Sequence, residues 1–138
     1  MADKVELVDY FYIETPDRPG EGARILGHLR SQGVNLLMFT GFPSGRGRAQ
    51  LDFVPSDAKA FRAAARAAKW KVTGPKKAFL ITGDDRPGAL AEFMDKLAAA
   101  KINVTAVDAV CAGAGRYGAI LWVKPRDVKR AAKALGVA

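Results

Sequence analysis

The chain has 138 residues, 49% of them hydrophobic and 26% charged, which is enough apolar material for a packed core. No apolar run is long enough to span a bilayer, and Met1-Ala2-Asp3-Lys4-Val5-Glu6 has no signal-peptide pattern, so a cytoplasmic protein is expected. One cysteine, Cys111, and one histidine, His28, exclude an internal disulfide and Cys- or His-based metal clusters, while a formal charge of +8 raises the question of polyanions.

Residues 6–14, Glu6-Leu7-Val8-Asp9-Tyr10-Phe11-Tyr12-Ile13-Glu14, are rich in β-branched and aromatic side chains and read as a strand. Asp17-Arg18-Pro19-Gly20 follows as a turn, in which aspartate can accept backbone N–H bonds at a helix start and proline is tolerated. Ile25, Leu26 and Leu29 form a helical stripe, with Gly33 as its C-terminal cap. Asn35 then opens a strand, Leu36–Phe39, joined through a glycine-bearing turn to a second strand over residues 49–54. A helix starts just after Pro55, and Trp70-Lys71-Val72 supplies a final strand before Gly74-Pro75.

The same order then repeats. A strand at 77–83 leads into Asp85-Arg86-Pro87-Gly88, 68 positions after the first such turn. Leu90, Phe93, Met94 and Leu97 form the helical stripe, Lys101 stands where Gly33 stood, and Ile102-Asn103 matches Val34-Asn35. Strands at 104–107 and 119–123 follow, then a helix after Pro125. Matching Gly45-Arg46 to Gly115-Arg116, and Pro55–Lys59 to Pro125–Lys129, gives an offset of 70 and places two extra residues in the turn around Ala112-Gly113-Ala114. Each copy reads β-α-β-β-α with a last strand that is truncated or missing in the second. The expected class is α+β: two tandem ferredoxin-like βαββαβ sandwiches, residues 1–74 and 75–138. Units this small bury little surface, which favours pairing of the copies and dimerisation.

The basic residues fall on helix faces. Lys59, Arg62, Arg66 and Lys69 lie opposite Phe61, Ala65 and Ala68, and Arg126, Lys129, Arg130 and Lys133 lie opposite Val128, Ala132 and Leu135. Such faces read first as solvated and second as a polyanion or nucleic-acid surface. Phe39, Phe42, Phe53 and Tyr117 read as core or interface residues, because the aromatic signature of an RNA-binding sheet is missing. His28, beside the inward stripe of Ile25 and Leu29, is expected at a surface or boundary position, Cys111 as a half-buried inert thiol, and Arg18 and Arg86 in solvent.

The loop into the leading helix is the candidate site in each copy. A helix start offers free N–H groups to a carboxylate. Gly20 and Gly88 leave the approach open, Asp17 and Asp85 suit an ammonium group, and Asn35 and Asn103 add an amide. Together they complement a zwitterion, although the same residues also make ordinary turns and caps. A strand, Asp-Arg-Pro-Gly, a helix, then Val/Ile-Asn, found twice in register, resembles the ACT domain, the regulatory module of amino-acid-metabolism enzymes and of stand-alone tandem proteins. The resemblance implies side-by-side sheet pairing and amino-acid binding between paired modules, with Asp17, Gly20, Asn35, Asp85, Gly88 and Asn103 as binding positions. A homodimer, a regulated protein partner, and no cofactor, metal or catalytic residue are expected. The alternatives are a polyanion-binding module, a dimerising scaffold and, ranked lowest, a hydrolase of the acylphosphatase type.

Overall fold

A computed structural model describes residues 3–137. Six strands and four helices follow in the order β1 (Lys4–Pro16), α1 (Glu21–Ser31), β2 (Leu36–Gly45), β3 (Arg48–Pro55), α2 (Ala58–Ala67), β4 (Thr73–Asp84), α3 (Ala91–Ala99), β5 (Val104–Gly113), β6 (Arg116–Val123) and α4 (Val128–Leu135). None of the helices is long and apolar enough to cross a membrane. The chain divides into two compact units. The first spans residues 9–76; the second combines 77–137 with residues 3–8. Both β1 and β4 are therefore shared between the units, β1 dividing at 8/9 and β4 at 76/77, and the boundary expected at 74/75 falls inside β4.

In the first unit the strand order is β2-β3-β1-β4, with β4 represented by its opening residues. Antiparallel pairing sets Phe11 opposite Phe53 and Ile13 opposite Leu51. Alternation along β1 then points Phe11 and Ile13 into a core with Ile25 and Leu29 of α1 and Phe61 of α2. Phe11, Phe53 and Phe61 form its centre, with ring centroids 5.1–5.2 Å apart along the Phe11–Phe61–Phe53 chain. Rings at this spacing add about 0.5–1.5 kcal/mol per pair beyond burial. Asp57 caps α2, accepting N–H bonds from Lys59 (3.0 Å) and Ala60 (3.3 Å).

The stretch Trp70–Val72 is not a strand. Lys69 adopts a left-handed conformation (φ 58°), and the Trp70 N–H donates to the Ala65 carbonyl at 3.0 Å, so the chain turns off α2 there. Trp70 and Val72 pack on the first core from a loop, and β4 starts at Thr73. Their apolar character, which suggested a strand, serves burial instead.

In the second unit the order is β1-β4-β6-β5. Nothing described after α4 forms a strand. Residues 4–8 of β1 take the missing place, and Val5 and Leu7 among them pack on a core of Phe79, Ile81, Phe93, Leu97, Leu121 and Leu135. Each unit is thus a complete four-stranded ferredoxin-like sandwich.

The repeat is tighter than the residue identities suggested. Gly45, Arg46 and Gly47 have φ of 97°, 56° and 71°; Gly113, Ala114 and Gly115 have 97°, 57° and 68°. Phe11 pairs with Phe53 and Phe79 with Leu121, so the offset of 68 holds through the hairpin and the strand after it. The two extra residues of the second copy lie later, in the Pro125–Asp127 3-10 turn that leads into α4, and not in the Ala112–Ala114 turn. Ala58 and Val128, the first residues of α2 and α4, are the first matched helix positions at offset 70. Lys101 does take up the backbone of Gly33, left-handed at φ 58° against 72°.

Candidate functional site

Each candidate loop is a corner where a strand ends beside its neighbouring hairpin. The Asp17 N–H donates to the Gly47 carbonyl and the Asp85 N–H to the Gly115 carbonyl, both at 2.8 Å. The two aspartates are exposed and neither caps a helix. Gly20 occupies the cap position of α1 at φ 93°, a conformation that favours glycine, and Leu90 occupies that of α3. Neither helix start has a side-chain cap. Among the described residues, the N–H groups of Gly22 and Ala23 in the first unit, and of Glu92 and Phe93 in the second, have no protein acceptor outside their helix.

In the first unit a cleft of about 240 Å³ opens at this corner, lined among others by Asp17, Arg18, Glu21, Gly22, Phe42 and Pro43. Glu21 is pinned within it. Thr15 Oγ1 donates to its carboxylate at 2.6 Å and Arg24 at 2.8 Å, with Arg18 at 3.6 Å. The Arg24 and Thr15 hydrogen bonds hold the Glu21 carboxyl down at about 2. A permanent negative charge therefore sits in the first turn of α1, where the helix dipole favours it.

The second corner differs. Ala89 stands at the position of Glu21 and Gly83 at that of Thr15. Asp3 fills the space instead: a Cβ on Gly83 would collide with its carboxylate. Arg86 grips Asp3 through two bonds, 3.2 and 2.8 Å, and donates to the Asp84 carbonyl at 2.9 Å. The Arg86 hydrogen bond holds the Asp3 carboxyl below its ordinary range against the effect of burial. Neither arginine is simply solvated, because each has a carboxylate anchor. Cys111 is fully exposed rather than half-buried, and the Asp85 carboxylate beside it pushes the thiol up.

The asparagines lie elsewhere. Asn35 is exposed at the start of β2, its carbonyl accepting from the Ser56 N–H at 2.9 Å. Gly45 pairs with Arg48 and Leu36 with Pro55, so Asp17 and Asn35 flank opposite ends of β3. Seven strand steps make that separation about 24 Å. Asn103 stands off from Asp85 in the same way along β6. Within one unit the structure brings Asp and Gly together but not Asn, and no small ligand can touch both ends. Sequence reasoning passed over the roles of Thr15 and Asp3. The Thr15/Gly83 difference at one repeat position was the available signal.

Among the remaining residues, His28 is half-buried, the boundary position expected for it, and its Nε2–H donates to the Ala64 carbonyl at 2.8 Å. Phe53 and Tyr117 are buried, whereas Phe39 and Phe42 are 38% and 43% exposed on the edge strand β2.

No family model and no curated protein matches the chain. Solved structures do. The protein BT0572 from Bacteroides thetaiotaomicron is similar with a TM-score of 0.80 at 16% identity, covering 96% of this chain and 88% of that one. The ligand-free regulatory subunit of aspartate kinase from Thermus thermophilus is similar with a TM-score of 0.61 at 20% identity, covering 96% and 94%. That of Thermus flavus gives 0.61 at 16% identity, covering 99% and 95%. The chain shares the fold of these solved structures.

Proposed function

We propose that the protein is a regulatory sensor that binds an amino acid, or a metabolite of the same dipolar chemistry, at an interface between paired modules. The observation that carries this reading is the pair of helix starts with uncapped amides, one of them beside an open cleft that includes Asp17 and Glu21. Amides receive the ligand carboxylate, and the acidic side chains receive its ammonium group. The fold shared with regulatory subunits of aspartate kinase supports the same reading. Because Asn35 lies at the far end of its own unit, the ligand meets Asp17 and Gly20 of one copy and Asn35 of another; Asp85, Gly88 and Asn103 follow the same rule. Ligand binding then favours the assembled state, and this differential affinity is the regulation.

The test is a thermal-shift panel of the twenty amino acids at millimolar concentration. A ligand at 100 times its Kd adds about 2.7 kcal/mol. Asp17→Ala and Asn35→Ala should each abolish the shift of the best ligand. An equimolar mixture of the two variants should restore part of it, because one mixed site keeps both wild-type residues. A flat panel, or a shift insensitive to both substitutions, refutes the proposal.

A further inference from the structure

A second cleft, of about 270 Å³, lies in the first unit between α2 and the loop into β4. Phe61, Ala65, Trp70 and Val72 give it an apolar lining, with Arg62 and Arg66 among its other lining residues. No residue lining it is acidic. Among the described residues neither guanidinium forms an ion pair with a carboxylate, as is also so for Arg30, Arg46, Arg48 and Arg126. Arg62 lies over the Phe11 ring, 5.3 Å from its centroid, which steadies it at the cleft. Trp70 is held edge-on to His28 at 5.2 Å, a fixed aromatic wall.

The fold itself does not require this arrangement. At the repeat offset of 70, Arg62 and Arg66 correspond to Ala132 and Gly136. Two like charges four residues apart also cost a helix about 0.2–0.5 kcal/mol. The second unit's cleft, which takes in its Asp-Arg-Pro-Gly corner, is by contrast lined by Asp3, Asp84 and Glu92 as well as Arg86 and Lys96.

We infer that the α2 cleft is a binding site for a small planar aromatic anion, its ring in the slot beside Trp70 and its anionic group between Arg62 and Arg66. A phosphate or a carboxylate on the ring would supply the same chemistry. The site is separate from the Asp-Arg-Pro-Gly corners and stands or falls independently of them.

Trp70 fluorescence in a Trp122→Phe background, together with amide chemical shifts, reads occupancy when the full chain is titrated with phenyl phosphate, benzoate, adenosine monophosphate or inorganic phosphate. Saturable binding of at least one aromatic anion is expected, with shifts confined to residues 58–74 and the adjoining Phe11 and His28. Arg66→Ala should weaken it about tenfold, the loss of one charge-assisted contact. Lys129→Ala with Lys133→Ala, on the other unit's basic face, should leave it unchanged. Binding of phenyl phosphate and the nucleotide without benzoate identifies a phosphate-bearing ligand; preference for benzoate identifies a carboxylate. Inorganic phosphate binding as tightly as phenyl phosphate overturns the proposal. So do shifts spread over both basic faces, or affinity unaltered by Arg66→Ala.

Discussion

Removing Val5 and Leu7 from the opening of β1 should destabilise the C-terminal unit, more than 70 residues away in sequence. Both side chains are half-buried against the core of Phe79, Ile81 and Leu121. A fully buried Leu→Ala change costs about 2–5 kcal/mol, so half burial puts Leu7→Ala near 1–2.5 kcal/mol. Val5→Ala removes less, about 0.5–1.5 kcal/mol. The double variant should lose about 2–3 kcal/mol, or about 1 M in urea midpoint for a chain of this size. The two tryptophans allow each unit to be followed. Trp122 lies on β6 of the second unit and Trp70 beside the first core, so Trp70→Phe and Trp122→Phe backgrounds isolate the two transitions. The double variant should lower the Trp122 midpoint, and exposed Glu6→Ala, on the same segment, should move it by less than about 0.5 kcal/mol. A fall in the Trp70 transition alone would assign residues 4–8 to the first unit and refute the strand exchange.

Three further outcomes follow from particular contacts. Phe61→Ala empties the centre of the aromatic core and should cost the first unit about 3–5 kcal/mol in the Trp70-detected urea transition. Asp57→Ala should cost about 1 kcal/mol by the same assay, because it removes a side chain bonded to two amides, whereas Asp127→Ala loses no cap bond in α4 and should cost less by the Trp122 signal. Burial raises the Asp52 carboxyl above its ordinary value, despite the Gln50 hydrogen bond at 2.8 Å. A carboxyl whose folded pKa is raised binds its proton more tightly when folded, so its contribution is greatest below the unfolded pKa and is lost as pH rises through the folded one. Asp52→Asn should therefore raise the melting temperature at pH 7, and that gain should shrink as pH falls through the raised folded pKa towards the ordinary 3.8; an unchanged gain at pH 3 would contradict the burial argument.

Glu21 carries the opposite sign. Its folded carboxyl lies at about 2 against an ordinary 4.5, so its stabilising contribution is present above pH 4.5 and disappears as pH falls towards 2. The stability difference between the wild type and Glu21→Gln, followed by urea midpoint, should narrow steadily over that window. A constant difference would mean that the Thr15 and Arg24 bonds do not depend on the charge.

Local chemistry was readable and long-range chemistry was not. The strand-turn-helix corners, the β-branched and aromatic richness of β1 and β4, the stripes of α1 and α3 and the left-handed step at Gly33 and Lys101 all follow from residues within a few positions of each other. The misplaced insertion shows where identity misleads. Gly45-Arg46 and Gly115-Arg116 share letters, but the backbone equates Arg46 with Ala114, because that left-handed turn position accepts either residue between two glycines. Trp70 and Val72 were misread because an apolar run near a core looks the same whether it forms a ladder or a lid. The distance between Asp17 and Asn35 was hidden for a different reason: residues 18 apart in sequence are separated by a helix and lie at opposite ends of a strand.

The exchange of strands explains why β1 is so long. At 13 residues it is about twice the usual strand, and a single four-stranded module of this size has no use for all of it. Its odd-numbered positions tell the two uses apart: Val5 and Leu7 feed the second core, Phe11 and Ile13 the first, with Asp9 between them. One uninterrupted period-2 pattern therefore serves two cores, which is why periodicity alone gives no boundary. The first unit is a contiguous piece of chain, residues 9–76, but the second is not. Residues 77–137 expressed alone would lack the strand carrying Val5 and Leu7, and the flank of β4 that faces it would be an open edge. Adding residues 1–8 in trans as a peptide should restore a cooperative Trp122 transition, whereas the same peptide with Val5 and Leu7 changed to aspartate should not. Cooperative unfolding of 77–138 without any peptide would show that the second repeat closes its own sheet, and the length of β1 would then need another cause.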